Sequence, residues 1–161
     1  MHNAERVKEL FNYDPETGVF TRRIDSPPRW KAGQIAGSRH SKHGYWIIRF
    51  DGRDKLAHRL AWLYVHGEWP TQDIDHIDGN PLNNRINNLR QVSKSVNMQN
   101  RKRAHKQSTS GLLGAYRNGK RWRSSIHIDG NPKHLGTFDT AEAAHAAYLA
   151  AKRLHHPGCT I

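Results

Sequence analysis

The sequence predicts an α+β protein built from small antiparallel β units and short helices, and three observations predict it. Hydrophobic residues make up only 35% of the 161 positions, so small units with thin cores are expected in place of one large core. Short β-rich runs are separated by hairpin signals at Asp51-Gly52, Asn118-Gly119 and Asp129-Gly130. Helical periodicity appears only in short stretches, the longest being AEAAHAAYLAAKRLHH from Ala141.

The elements follow in order. Residues 4–13 carry Val7, Leu10 and Phe11 on one side and read as a short N-terminal helix that caps the unit. DPETG from Asp14 is a turn, and VFTRR after it is a strand. SPPRWKAGQIAGSRHSKHG is rich in turn formers and reads as loop. YWIIRF (Tyr45–Phe50) and RDKLA form a hairpin about Asp51-Gly52, and Leu56, Leu60, Leu63 and Gly67 share a face of a helix over 58–66. Residues 72–78 read as a strand, GNPLNNRINN as loop, and LRQVS as the returning strand. Ser93 or Ser95 caps a helix running to about His105. QSTSG is a flexible joint, and the pattern changes beyond it. LLGAYR, RWRSSIHI and KHLGTF are three strands, and Thr140 caps the final helix, whose small packing face is Ala144, Ala147, Tyr148 and Ala151, with Leu135 and Phe138 as core partners. Three regions are expected: 1–70, β-rich with a short helix; 71–106, a central unit; and 107–161, the joint and a second β-plus-helix unit.

The formal charge is +12, with 26 Lys and Arg against 14 Asp and Glu. Residues 1–70 hold 12 basic and 8 acidic groups, and 71–107 and 108–161 each hold 7 and 3. The excess is spread along the chain, which points to a polyanionic partner. No apolar run approaches a membrane span, no basic helix has a continuous apolar face, and MHNAERVKEL has no apolar signal core. A soluble, intracellular, cytoplasmic protein with no membrane partner is therefore expected. Cys159 is the sole cysteine, which excludes an internal disulfide and a cysteine-based zinc site.

Against this basic background, DIDHIDGNPLNNRINNL (Asp73–Leu89) sets Asp73, Asp75 and Asp78 around His76 and follows them with Asn80, Asn83, Asn84, Asn87 and Asn88. A helix–loop–helix calcium site fails, because from Asp73 the third ligand position is Ile77 and the glycine position is Asp78. His58, His66 and His76 lack zinc-ligand spacing. What remains is strand, Asp-His, loop, Asn, strand, helix, Asn. His76 precedes Asn88 by twelve positions, and Asp75 precedes Asn97 by twenty-two.

That organisation, from His58 through HRLAWLYVHGEWPTQDIDHIDGNPLNNRINNLRQVSKSVNMQN to Asn100, resembles the HNH nucleases. It resembles above all the branch of phage and intron homing endonucleases in which asparagine replaces the last histidine. The resemblance implies a ββα-metal core in the central region and a metal-dependent endonuclease that hydrolyses DNA phosphodiesters. It implies phage origin with action in the bacterial host, duplex DNA as partner, and a monomer on that DNA. One divalent cation, Mg²⁺ or Mn²⁺, is implied, with Asp75 and Asn97 as its oxygen ligands. His76 takes the place of the general base, and Asn88 that of the residue that ties the loop and holds His76. Oxygen donors with open positions suit such a cation, and an imidazole suits proton transfer at neutral pH. Adjacent strand residues face opposite ways, so Asp75 and His76 serve one site only if the strand ends or bends there. Gly79 and Pro81 supply the break.

Arg59, at the start of its helix, is placed to reach a phosphate, though a solvated helix end fits it equally well. Arg101, Lys102 and Arg103 in RKRAHK adjoin the expected cleavage site and are read as phosphate contacts. The C-terminal unit resembles the APETALA2/ethylene-response-factor DNA-binding domain, through RWRSSIHI, LGTFDTAEAA and AAYLAAKRLH. That resemblance implies DNA contact from its sheet, with Arg117, Arg121, Trp122 and Arg123 as candidates. Core packing is the competing reading for Trp122. Tyr116, Ser125 and His134 depart from the usual pattern of that domain. Two other readings are a DNA-binding regulator with an inactive nuclease site, and a nuclease or binder directed at RNA, since Trp and Tyr beside Arg suit stacking on single strands.

Overall fold

The computed structural model describes residues 3–25, 29–41, 44–99, 104–105, 107–128, 130–156 and 159. The described residues form a mixed α/β arrangement of several small antiparallel sheets and four α-helices. Contacts divide it into two compact units, Met1–Ser93 and Lys94–Ile161. None of the helices is long and apolar enough to cross a membrane among the described residues.

The first unit begins with helix α1 (Asn3–Leu10), which stops where the chain enters strand β1 (Phe11–Asp14). The expected helix over 4–13 is therefore three residues too long. Phe11 pairs with Arg22 across the hairpin to β2 (Val19–Arg22) and sets its ring edge-on to Phe20, at 6.2 Å. Long-range pairing and burial of Phe11 override its local helical spacing. The turn is held by the Asp14 carboxylate, which accepts from the Glu16 amide at 2.9 Å and the Thr17 hydroxyl at 2.7 Å.

The segment read as loop holds one short strand, β3 (Ser38–Arg39), on the edge of a sheet with β4 (Trp46–Phe50) and β5 (Arg53–Leu56). Asp51 and Gly52 both take positive φ, 45° and 75°, as a two-residue hairpin with matching twist requires. Helix α2 (Ala57–His66) follows directly. Leu60 and Leu63 are fully buried, and Gly67, at φ 81°, ends the helix by donating to the Leu63 carbonyl. A two-stranded ribbon, β6 (Asp73–His76) and β7 (Leu89–Val92), completes the unit, with a single 3₁₀ turn at Ile86–Asn88 before β7. One hydrophobic core gathers Val7, Phe11, Phe20, Ile48, Leu60, Leu63, Ile74 and Leu89. It spans the boundary expected at residue 70, so the ribbon is seated on the N-terminal elements.

The second unit opens with α3 (Lys94–Gln99), which has no buried residue. The described residues Ala104 and His105 lie outside any helix, so the helix expected to reach His105 stops short of it. Strands β8 (Ala115–Asn118), β9 (Arg121–Ile128) and β10 (Asn131–Phe138) form an antiparallel sheet in the order β10-β9-β8, and α4 (Ala141–His155) packs on it. The strand expected to start at Leu112 starts at Ala115. Gly114 takes φ 70° and lies so close to the Tyr148 ring that a Cβ would sit 2.1 Å from it; the chain turns there. The Thr140 hydroxyl caps α4 by accepting from the Ala143 amide at 3.1 Å. The core is thin: Ala115, Ala141 and Ala144, with Leu112, Trp122 and Phe138 packed against it.

Candidate active site

Asp75 and His76 are the last two residues of β6, both within its ladder with β7, and the chain turns after His76. Alternation sends the two side chains to opposite faces. Asp75 lies opposite Arg90 of β7. The Arg90 guanidinium donates twice to one carboxylate oxygen, from Nε at 3.0 Å and from Nη2 at 2.8 Å. The Asp75 side chain is 7% exposed and that of Arg90 is 30% exposed. A carboxylate with so little contact with water needs such a partner.

His76 is buried on the other side. Its Nε2 lies 3.2 Å from the Asn84 side-chain oxygen. In this amide orientation the Asn84 nitrogen is turned to the Leu82 carbonyl at 3.4 Å. The imidazole then donates through Nε2 and keeps its lone pair on Nδ1. Burial pushes its pKa down, while the Asn84 hydrogen bond and the charges of Asp78 and Asp75 pull the other way. The ring is thus held neutral at neutral pH, the state a base needs. Two more rings border it: His58 at 5.0 Å, edge to face, and Tyr45 at 6.1 Å.

The loop between the strands is tied by asparagine. Asn88 Oδ1 accepts from the Asp78 amide at 3.1 Å, and its Nδ2 donates to the Asp78 carboxylate at 3.0 Å and to the Asn83 carbonyl at 2.9 Å. Its carbonyl accepts from the Ile77 amide at 2.9 Å. Asn83 Nδ2 donates to the other Asp78 oxygen at 2.7 Å. Burial pushes the Asp78 carboxyl up, but hydrogen bonds from the Asn80 amide and from the Asn83 and Asn88 side chains outweigh it and hold it below the usual range. These bonds of Asn88 reach the residues that follow His76, whereas the side chain on the imidazole is that of Asn84.

Two further groups hold the loop from outside it. The Tyr13 hydroxyl donates to the Asn84 carbonyl at 2.7 Å, and burial, with the Asp14 charge, pushes its pKa up. Gly18, at φ 73°, lies against the backbone of Asn84 and Arg85, where a Cβ would sit 2.5 Å away. Nothing local in the sequence marks Tyr13 or Tyr45 as site residues, and nothing separates Asn84 from the asparagines around it. His58 carried one signal, a histidine among Ala57, Leu60 and Ala61 on the buried face of α2; its pKa is pushed down to about 3 by burial first, then by His76 and Arg59.

Arg59 donates to the Pro70 carbonyl at 3.1 Å and the Gln72 carbonyl at 3.4 Å, pinning the chain that leads into β6. Asn97 lies half-buried on α3, in the second unit. Arg101, Lys102 and Arg103 fall outside the described residues. On the C-terminal sheet, Arg121 pairs with Asp139 at 2.9 Å and donates to the Thr137 carbonyl at 3.3 Å. Arg117 donates to the Gly119 carbonyl at 2.9 Å, with its guanidinium 5.3 Å from the Trp122 ring. Trp122 is half-buried against the small core, and Arg123 is exposed opposite Tyr116 and Thr137.

Among the described residues, no group of three or more His, Cys, Asp or Glu is arranged to hold a metal. A closed cage of the zinc type is therefore not built from them. The buried Asp75 carboxylate, an oxygen donor of a kind hard cations take, fits a cation whose other positions go to water and phosphate.

Residues 55–99 match the family model described as HNH endonuclease. The chain is 35% identical over 101 residues to Protein 3.8 of Escherichia phage T7, an alignment covering 61% of this chain and 83% of that protein. No solved structure is significantly similar to the chain.

Proposed function

From the premise that the chain belongs to the family of phage T7 Protein 3.8 and carries an HNH endonuclease domain at residues 55–99, we propose that it is a metal-dependent DNA endonuclease acting through His76. The observation that carries this reading is a buried imidazole at a strand end, with Nε2 on Asn84 and the charged pair Asp75–Arg90 one residue away. The ββα-metal arrangement, with the ribbon supplying its two strands, and a homing-type role in the phage belong to the same proposal.

Asp75 is the carboxylate ligand in this reading, and Asn97 is the second ligand expected from the resemblance. A divalent cation bound there would stabilise negative charge on the phosphate and on the leaving oxygen. The chain's own residues do the rest. Asn84 receives the Nε2 proton of His76, so Nδ1 is the atom that takes the proton from the attacking water. The nearby Asp75 and Asp78 favour the imidazolium that results. Asn88 keeps the loop after His76 closed over Asp78. Arg90 fixes one oxygen of Asp75, which orients the carboxylate.

The exposed basic groups and the +12 charge supply affinity for duplex DNA. The C-terminal sheet, as an APETALA2-like module, adds DNA contacts through Arg123 and its neighbours. Supercoiled plasmid incubated with the protein and Mg²⁺, with and without EDTA, tests the reading. Nicked or linear product that EDTA abolishes is expected. Intact plasmid across Mg²⁺ and Mn²⁺ concentrations would refute it.

A further inference from the structure

We propose that His58 is a positioning residue for His76: its ring, set edge-to-face on the His76 imidazole and backed by Tyr45, fixes the plane in which the base presents Nδ1. The inference rests on the proposed role of His76. Three rings meet pairwise, His58–His76 at 5.0 Å and 89°, Tyr45–His58 at 5.4 Å and 66°, and Tyr45–His76 at 6.1 Å and 36°. The hydrogen bond at Nε2 fixes one point of the imidazole, and a ring packed at right angles to it restrains its plane.

The platform for that ring is rigid. His58 stands in the first turn of α2, which is anchored by the fully buried Leu60 and Leu63. His58 is itself buried, and its Nδ1 has no hydrogen-bond partner among the described residues. Nδ1 bonding therefore does not hold the ring, and an unpartnered buried polar atom is a cost that packing alone does not require. Burial keeps the group neutral down to about pH 3, so it sets no positive charge against His76 when that ring gains a proton. Misplacing a reacting group by about 1 Å costs about 10²-fold in rate, so a ring that limits rotation has a measurable effect.

The test separates filling the space from orienting the base. His58→Leu fills the volume without a plane, and His58→Phe restores a plane. Full-length proteins are compared by melting temperature, DNA affinity, single-turnover cleavage of plasmid with Mg²⁺, and ¹H–¹⁵N spectra of the His76 ring without DNA or metal. The expected result is that both variants melt no lower than wild type and bind DNA as it does. His58→Phe then cleaves within about 5-fold of wild type and His58→Leu about 30–100-fold more slowly. In the spectra, wild type and His58→Phe show the single Nε2–H tautomer, and His58→Leu shows averaged tautomers. His58→Leu matching wild type in either rate or spectrum overturns the proposal. If the wild type itself does not cleave, the nuclease reading fails, and the spectra alone decide whether His58 orients His76.

Discussion

Asn88 shows how one side chain closes the site loop. Its amide makes hydrogen bonds at both ends, two to Asp78 and one to the Asn83 carbonyl. Asn88→Ala removes these three bonds; Asp78 is exposed and Asn83 half-buried, so water replaces part of what is lost and a cost of about 1 kcal/mol is expected. We expect a clear fall in melting temperature together with slower cleavage; an unchanged melting temperature would show that the loop does not depend on Asn88. Arg90→Ala leaves the Asp75 carboxylate buried without its guanidinium. Because Arg90 is partly exposed, water softens the penalty, and about 2 kcal/mol is expected, less than for a fully buried pair. Denaturant unfolding of Arg90→Ala and Arg90→Lys measures it. The sequence marked this stretch, since five asparagines after Asp-His have no packing purpose. It did not show which asparagine meets the imidazole, because Asn84, Asn83 and Asn88 are alike as turn residues and only the folded loop tells them apart.

At the scale of elements, the N-terminal hairpin and α2 support the site from positions remote in sequence. The β1–β2 turn presses Gly18 against the Asn84–Arg85 backbone. Gly18→Ala forces a left-handed φ on a residue with a Cβ and drives that Cβ into the loop. It should lower both stability and cleavage, and Gly33→Ala, also at positive φ but with nothing within 4 Å, should lower stability less and leave cleavage unchanged. Helix α2 contributes a pH dependence through His58. Its folded pKa of about 3 lies below the ordinary 6.5, so the unfolded chain binds the proton more readily. The stability tied to its neutral form is complete above about pH 6.5 and is lost as pH falls toward about 3, with a slope approaching 1.4 kcal/mol per pH unit. The difference in melting temperature between wild type and His58→Phe should widen over that window as pH falls. The hairpins at Asp51-Gly52 and Asn118-Gly119 were legible because glycine sets them locally. The switch to strand at Phe11 was not, because it depends on Phe20 and Arg22 across the hairpin. The turn at Leu112–Gly114 was not, because it depends on Tyr148, more than thirty residues on.

For the whole molecule, charge and site divide the work. In the proposed reading the basic excess gives non-specific attraction to DNA, and each phosphate contact adds about one unit to the slope of log affinity against log salt. Arg123 is exposed and makes no ion pair among the described residues, whereas Arg121 is engaged by Asp139. Arg123→Ala should therefore flatten the salt slope by about one unit and leave the single-turnover rate at saturating protein unchanged, with Arg121→Ala changing the slope less. Band-shift titrations at several salt concentrations read both. The broad division into basic, thin-cored α+β parts was legible from composition and turn spacing. The seating of the ribbon on the N-terminal core was not, because its contacts join residues more than sixty positions apart, as Tyr13 and Asn84 do.

The central claim is that His76 performs the chemistry while other groups hold the DNA. Single-turnover cleavage and DNA affinity of His76→Ala, measured beside wild type with Mg²⁺, test it most directly. The account predicts cleavage slower by about 10²–10⁴-fold, or about 3–5 kcal/mol of barrier, with affinity nearly intact. Wild-type cleavage by His76→Ala would contradict it.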